Sequence, residues 1–269
     1  MIEGIIILDV PFDRVTRTEA LEAVFKWIAE GRRIHVATPN PEFLLEAQKN
    51  QVFHEILKKT DLNIADGIGI LWAATYVHKT RKNKSKIVKI LKGIFLLITL
   101  VLYPKYCRQI LKERVSGVDL MLDICKKAAD LKLKIFLLGA APGIAEKTAE
   151  KLTNNFPSLQ ITGVYTGNPE EKNIAEKINQ SGADILFVAF GAPKQEYWIY
   201  KNLPKLSNIK LAMGVGGAFD FICGKIRRAP LFMRKIGLEW LYRLIMEPKR
   251  LRRIFNAVIK FPLEIFKKY

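Results

Sequence analysis

Short apolar runs alternate along this chain with stretches whose apolar positions recur at the helical period. That alternation predicts an α/β fold, Rossmann-like, with a mostly parallel sheet flanked by helices. The runs place strands over residues 5–10, 34–38, 62–65, 134–138, 160–165, 185–190 and 210–215. Helices are expected over 18–30, ended by Gly31, over 41–59, opened by Pro41, and over 143–155 and 169–180. In such sheets ligands bind beyond the carboxyl ends of the strands, where loops and helix N-termini converge. The loops of interest are therefore "ATPNPEF", "ADGIGI", "LLGAAPG", "AFGAPKQEYW" and "GVGGAFDF".

Two regions break the alternation. Residues 82–112, "KNKSKIVKILKGIFLLITLVLYPKYCRQILK", hold an apolar centre between lysines. That centre is shorter than the roughly 20 residues needed to span a bilayer, so an interfacial or re-entrant segment is expected, with a buried core helix as the alternative. The tail after Gly224 mixes large apolar residues with arginines, and Pro248 bends or interrupts it. It reads as a basic amphipathic helical appendage suited to an anionic lipid surface, or as a charged face packed on the core. The chain is thus expected to divide into an α/β domain over 1–224, with the insertion 82–112, and an appendage over 225–269.

Charge sharpens this picture. Lys and Arg outnumber Asp and Glu by 44 to 26 in 269 residues, a net charge of +18 that calls for an anionic partner. Cys107, Cys125 and Cys223 stand in no paired spacing, so neither a disulfide framework nor a zinc site is expected. The start, "MIEGIIILDV", lacks the layout of a signal peptide and reads as a first strand in a cytosolic protein.

The chain has no GxxxxGK[ST] phosphate loop, GxSxG elbow, HExxH pair or Asp-x-Asp pair, and "GVGG" is too late and too short for a dinucleotide fingerprint. No metal site is expected. A bound diphosphate would be held by glycine loops, helix N-termini and arginines. In "LNIADGIGILWAA", Asp66 is followed by Gly67 and Gly69 at the end of an expected strand. Either it caps the following helix, or its carboxylate faces the same mouth as Thr38 and Asn40 and accepts a proton there.

Six blocks, "TPNPEF", "ADGIGI", "ERVSGVDL", "FLLGAAPG", "FGAPKQEYW" and "GVGGAFDFICGKIRRAPLFMRKIGLEWLYRLIMEP", stand in order over nearly the whole chain. Together they resemble the WecG/TagA/CpsF family of bacterial glycosyltransferases. The resemblance implies a membrane-associated, inverting transferase that needs neither metal nor other cofactor. Its donor would be a UDP-sugar and its acceptor a sugar linked to polyprenyl diphosphate. In the TagA-like branch this is N-acetylmannosamine moved to undecaprenyl-diphosphate N-acetylglucosamine, completing the linkage unit of wall teichoic acid. Asp66 then matches the catalytic base, and Thr38 and Asn40 match neighbouring pocket residues. Arg114 of "ERVSG" matches a further active-site element. Gly139, Gly191, Ala192, Lys194, Gln195 and Gly214 would line the nucleotide pocket. Arg243, Arg250 and Arg253, on one face if a single helix continues through Pro248, would bind or neutralise a diphosphate.

The expected location is the cytoplasmic face of the bacterial membrane, peripheral or monotopic, and a homo-oligomer is compatible with this reading. Related members use other UDP-sugars for capsule, exopolysaccharide or common antigen. A reading of another class is a non-catalytic basic module that binds membrane or nucleic acid. The tail argues against nucleic acid, since Trp240, Leu241, Leu244, Ile245 and Phe255 make it more apolar than a nucleic-acid arm.

Overall fold

The computed structural model describes residues 3–269. A hairpin of β1 (Gly4–Ile7) and β2 (Val10–Asp13) comes first, paired antiparallel with Ile7 opposite Val10. One strand over residues 5–10 was expected; instead the chain reverses at Leu8 and Asp9, both with positive φ. Neither is the glycine or asparagine that signals such a turn, which is why the pattern hides it. Burial of Leu8 and its neighbours Ile7 and Val10 holds the turn in place.

The main sheet has six parallel strands in the order β4-β3-β8-β7-β5-β6. They are β3 (Ile34–Ala37), β4 (Leu62–Asn63), β5 (Lys134–Gly139), β6 (Gln160–Tyr165), β7 (Ile185–Ala189) and β8 (Leu211–Gly214). β3, β7 and β8 are buried along their whole length, as strands covered on both faces must be.

Along the chain the helices are α1 (Arg17–Ala29), α2 (Pro41–Ala47), α3 (Gln51–Lys59), α4 (Ile68–Thr80) and α5 (Lys86–Leu102). After a 3₁₀ turn at Pro104–Arg108 come α6 (Gly117–Asp130), α7 (Ile144–Asn155), α8 (Ile174–Ser181) and α9 (Lys194–Asn202). The single helix expected over 41–59 is two, because the Asn50 side chain accepts from the Phe53 N–H and starts a new helix. The tail is α10 (Ala218–Ile222), α11 (Leu231–Ile236), α12 (Glu239–Met246), α13 (Leu251–Phe255) and α14 (Phe261–Lys268). A 3₁₀ turn at Pro248–Arg250 and a π turn at Asn256–Lys260 flank α13.

Successive side chains of a strand face opposite ways. On β7, Ile185 and Phe187 accordingly join a core with α1, α6 and α7, while Leu186 and Val188 join one with α8 and α9. A third core surrounds α4, whose residues from Ile70 to Tyr76 are all buried. A helix apolar on every side needs neighbours on every side, and the hairpin, α5 and α14 provide them. Trp72 and Tyr76 stack with ring centroids 5.6 Å apart, and Phe266 of α14 meets both rings edge-on. Trp72 donates to the Gly93 carbonyl of α5 at 3.2 Å. A methyl at Gly93 would fall 2.2 Å from the Phe266 ring, so only glycine lets α5 approach this closely.

Candidate active site

Three segments converge beyond β3 and β4. The Ile64 N–H donates to the Ala37 carbonyl at 3.0 Å, the Asp66 N–H to the Pro39 carbonyl at 3.1 Å and the Val115 N–H to the Ala65 carbonyl at 3.0 Å. This knitting brings Thr38, Asp66 and the start of α6 together. The Gly117 N–H donates to the Asp66 carboxylate, and Thr38 packs so closely on Gly117 that an added methyl would lie 3.0 Å from Oγ1.

Asp66 does not cap α4. The cap position is Gly67, and no side chain bonds the helix's first N–H groups. Gly67 has φ of +110°, a conformation in which a side chain is strained, and through it the backbone turns from β4 into α4 while the Asp66 carboxylate takes the Gly117 N–H. Burial pushes the Asp66 carboxyl up to about 6. Arg114, Arg243 and the Gly117 N–H pull against that rise, and Glu239 adds to it.

The tail folds over this mouth and carries most of the charge. Arg114 meets Glu239 of α12 at 3.1 Å, and Arg228 grips both oxygens of Asp119 on α6 while its Nε lies 3.6 Å from Glu239. Arg250 donates to Glu247 at 2.6 Å, and Arg243 stands 3.6 Å from the same carboxylate. The Arg243 guanidinium lies 4.8 Å from the Phe221 ring centroid, a cation–π stack. Burial and the neighbouring Arg250 and Arg253 push the Arg243 pKa below its usual value, against the opposing pull of Glu247 and Glu239. The buried Nε atoms of Arg228, Arg234 and Arg243 have no hydrogen-bond partner. Asp66 thus sits among Arg114, Arg228 and Arg243, cations held in place by other carboxylates, and such a cluster suits a substrate that carries phosphate.

The sequence model of the glycosyl transferase WecG/TagA/CpsF family matches residues 5–99 and 97–269. The chain belongs to this family. It is 30% identical over 231 residues to the N-acetylglucosaminyldiphosphoundecaprenol N-acetyl-beta-D-mannosaminyltransferase of Bacillus spizizenii, covering 86% of this chain and 78% of that one. The Bacillus subtilis protein of the same name is 27% identical, with 87% and 79% covered. That of Staphylococcus aureus strain MRSA252 is 28% identical over 257 residues, with 94% and 89% covered.

In this glycosyl transferase the other expected residues divide by role. Asn40 accepts from the Glu42 and Phe43 N–H groups at 2.9 and 3.2 Å, so its carbonyl oxygen caps α2 and is not free for a substrate hydroxyl. Gln195 is buried, with Oε1 accepting from the Gly191 and Gly216 N–H groups and Nε2 donating to Glu196. It clamps the loops after β7 and β8 to each other instead of presenting its amide to a pocket.

Gly214 lies under that clamp, where a methyl would meet Gln195 and Glu196 at 2.5 Å, and Gly139 packs on Phe190 and the Ala189 backbone. Both permit close backbone packing. Gly191 faces open space, and Ala192 and Lys194 are exposed at the start of α9. Connections from β5 and β7 run to opposite sides of the sheet. The loops holding Gly139 and Gly191 therefore bound the crevice where this fold class takes nucleotides, beside the Asp66 half of the site.

The one-helix arrangement of the tail arginines is corrected. Arg243 is on α12, Arg250 in the 3₁₀ turn and Arg253 on α13. Glu247 gathers the first two, while Arg253 binds Glu42 of α2 at 2.6 Å. Sequence reasoning passed over Asp119, Glu196, Arg228, Glu239 and Glu247. Glu239, Arg243 and Glu247 recur every four residues, an acid–base–acid ladder that could have shown the carboxylates.

Proposed function

We propose that this protein transfers N-acetylmannosamine from a UDP-linked donor to N-acetylglucosamine on undecaprenyl diphosphate, with Asp66 as general base. The observation that carries this reading is a carboxylate poised near neutral pH with the cations Arg114, Arg228 and Arg243 around it. The relatives' names give both the sugar and the lipid-linked acceptor.

Asp66 takes the proton of the acceptor hydroxyl as that oxygen bonds to the anomeric carbon of the donor. The bond from that carbon to the phosphate oxygen breaks on the opposite face, and UDP leaves with the electron pair. Configuration inverts in one displacement, so a single base suffices. Arg114, Arg243 and Arg250 stabilise the charge that develops on the departing diphosphate or hold the acceptor's own. Arg114 is free to do so when a phosphate replaces Glu239 as its partner. Thr38 orients a sugar hydroxyl beside Asp66. Gln195 acts one step away, by fixing the Gly191 and Gly216 loops on the nucleotide side.

Because the acceptor is lipid-linked, the enzyme works as a peripheral protein at the cytoplasmic face of the membrane. Among the described residues no helix is long and apolar enough to cross one. The test is UDP release from UDP-N-acetylmannosamine with a short-chain prenyl-diphosphate N-acetylglucosamine. Release that requires both the acceptor and Asp66, and disappears in Asp66→Ala, is expected. Failure to bind or turn over any UDP-sugar overturns the proposal.

A further inference from the structure

We propose that the outward face of α5 is a docking surface that lies in the plane of an anionic lipid layer. This rests on the lipid-linked acceptor of the preceding section. Ile87, Leu91, Ile94, Phe95 and Ile98 are each between 45 and 71% exposed. Their spacing confines them to an arc of about 100° on the helix. Gly93, Leu96 and Leu100 on the other side are buried against α4 and α14. At 17 residues α5 is about 25 Å long, which suits lying in an interface and not crossing it.

Charge selects the occupant. Between Asp66 and Glu113 the chain contains no acidic residue. Lys82, Lys84, Lys86, Lys92 and Lys105 are exposed around the apolar arc. A second copy meeting this face symmetrically would set lysines against lysines. Anionic headgroups neutralise them while the apolar arc enters the acyl boundary. α5 packs on α4, the helix that begins two residues after Asp66, so a lipid layer on α5 lies one helix away from the base.

Leu91→Glu/Ile94→Glu tests this, since both side chains are exposed and the thermal transition should stay in place. Wild-type protein is expected to sediment with phosphatidylcholine vesicles containing phosphatidylglycerol, and less with phosphatidylcholine alone. The double variant should lose roughly ten-fold or more of that binding. Its turnover of a water-soluble short-prenyl acceptor should be unchanged, which separates loss of docking from failure of the transferase reading. Vesicle binding undiminished in the variant, or absent in the wild type, overturns the proposal. So does an oligomer that the substitutions dissociate while vesicle binding persists.

Discussion

Replacing Asp66 by asparagine should make the protein more stable and nearly inactive. Burial raises the carboxyl from 3.8 to about 6, so the folded state binds a proton more tightly than the unfolded chain. The stability penalty therefore begins near pH 4, grows as pH rises and is complete above about pH 7. Each tenfold change in the ionisation constant is worth about 1.4 kcal/mol, which sets a ceiling of ~3 kcal/mol. The side chain is partly exposed, and solvent screening lowers the expected gain for Asp66→Asn to about 1–2 kcal/mol at pH 8, and to about half of that at pH 5.

Asparagine cannot accept the acceptor's proton, so transfer should fall by about 100- to 10 000-fold. Urea unfolding of both proteins at the two pH values gives the first number, and UDP release gives the second. In the wild type the acidic limb of the rate profile should lie near pH 6. An asparagine variant that is less stable at pH 8 yet turns over normally would refute the reasoning, because Asp66 would then be a structural residue.

Gly214→Ala should cost about 1–3 kcal/mol and weaken donor binding, because its methyl would strike the buried Gln195–Glu196 clamp; urea unfolding and UDP titration check both. Glu239→Gln should shift the acidic limb of the rate profile to lower pH, since Glu239 raises the Asp66 pKa. It should also cost about 1–3 kcal/mol in urea unfolding by weakening the link between Arg114, Arg228 and α12.

Much of the sheet was legible because β7, β8 and β5 after Lys134 are buried and read as apolar runs, and β3 departs from that only at the buried His35. The hairpin was not, since its turn holds Asp9 but no glycine or asparagine, and the apolar Leu8 beside it is kept there by burial. Asn50 was equally hidden, lying among residues that favour helix on both sides. At the site, Asp66 and Thr38 are close to strand ends, where topology alone implies a mouth. Gln195 belongs to such a loop too, but the direction of its amide depends on where Gly216 lies across the sheet. Glu239 and Arg228 reach the site only because the tail folds back, a long-range event with no local signature.

That return of the tail also orders events during synthesis. The Leu8 N–H donates to the Tyr269 hydroxyl at 3.0 Å, Lys268 pairs with Asp9, and Phe261 and Ile265 fill the core around α4. Residues 8 and 269 are neighbours, so this core cannot close while residues 261–269 are still inside the ribosome. The other two cores draw on residues no later than Val215–Cys223 and can form sooner. The helix that follows Asp66 thus locks after the other two cores, and a nascent chain can hold most of its sheet before the surroundings of that carboxylate are complete.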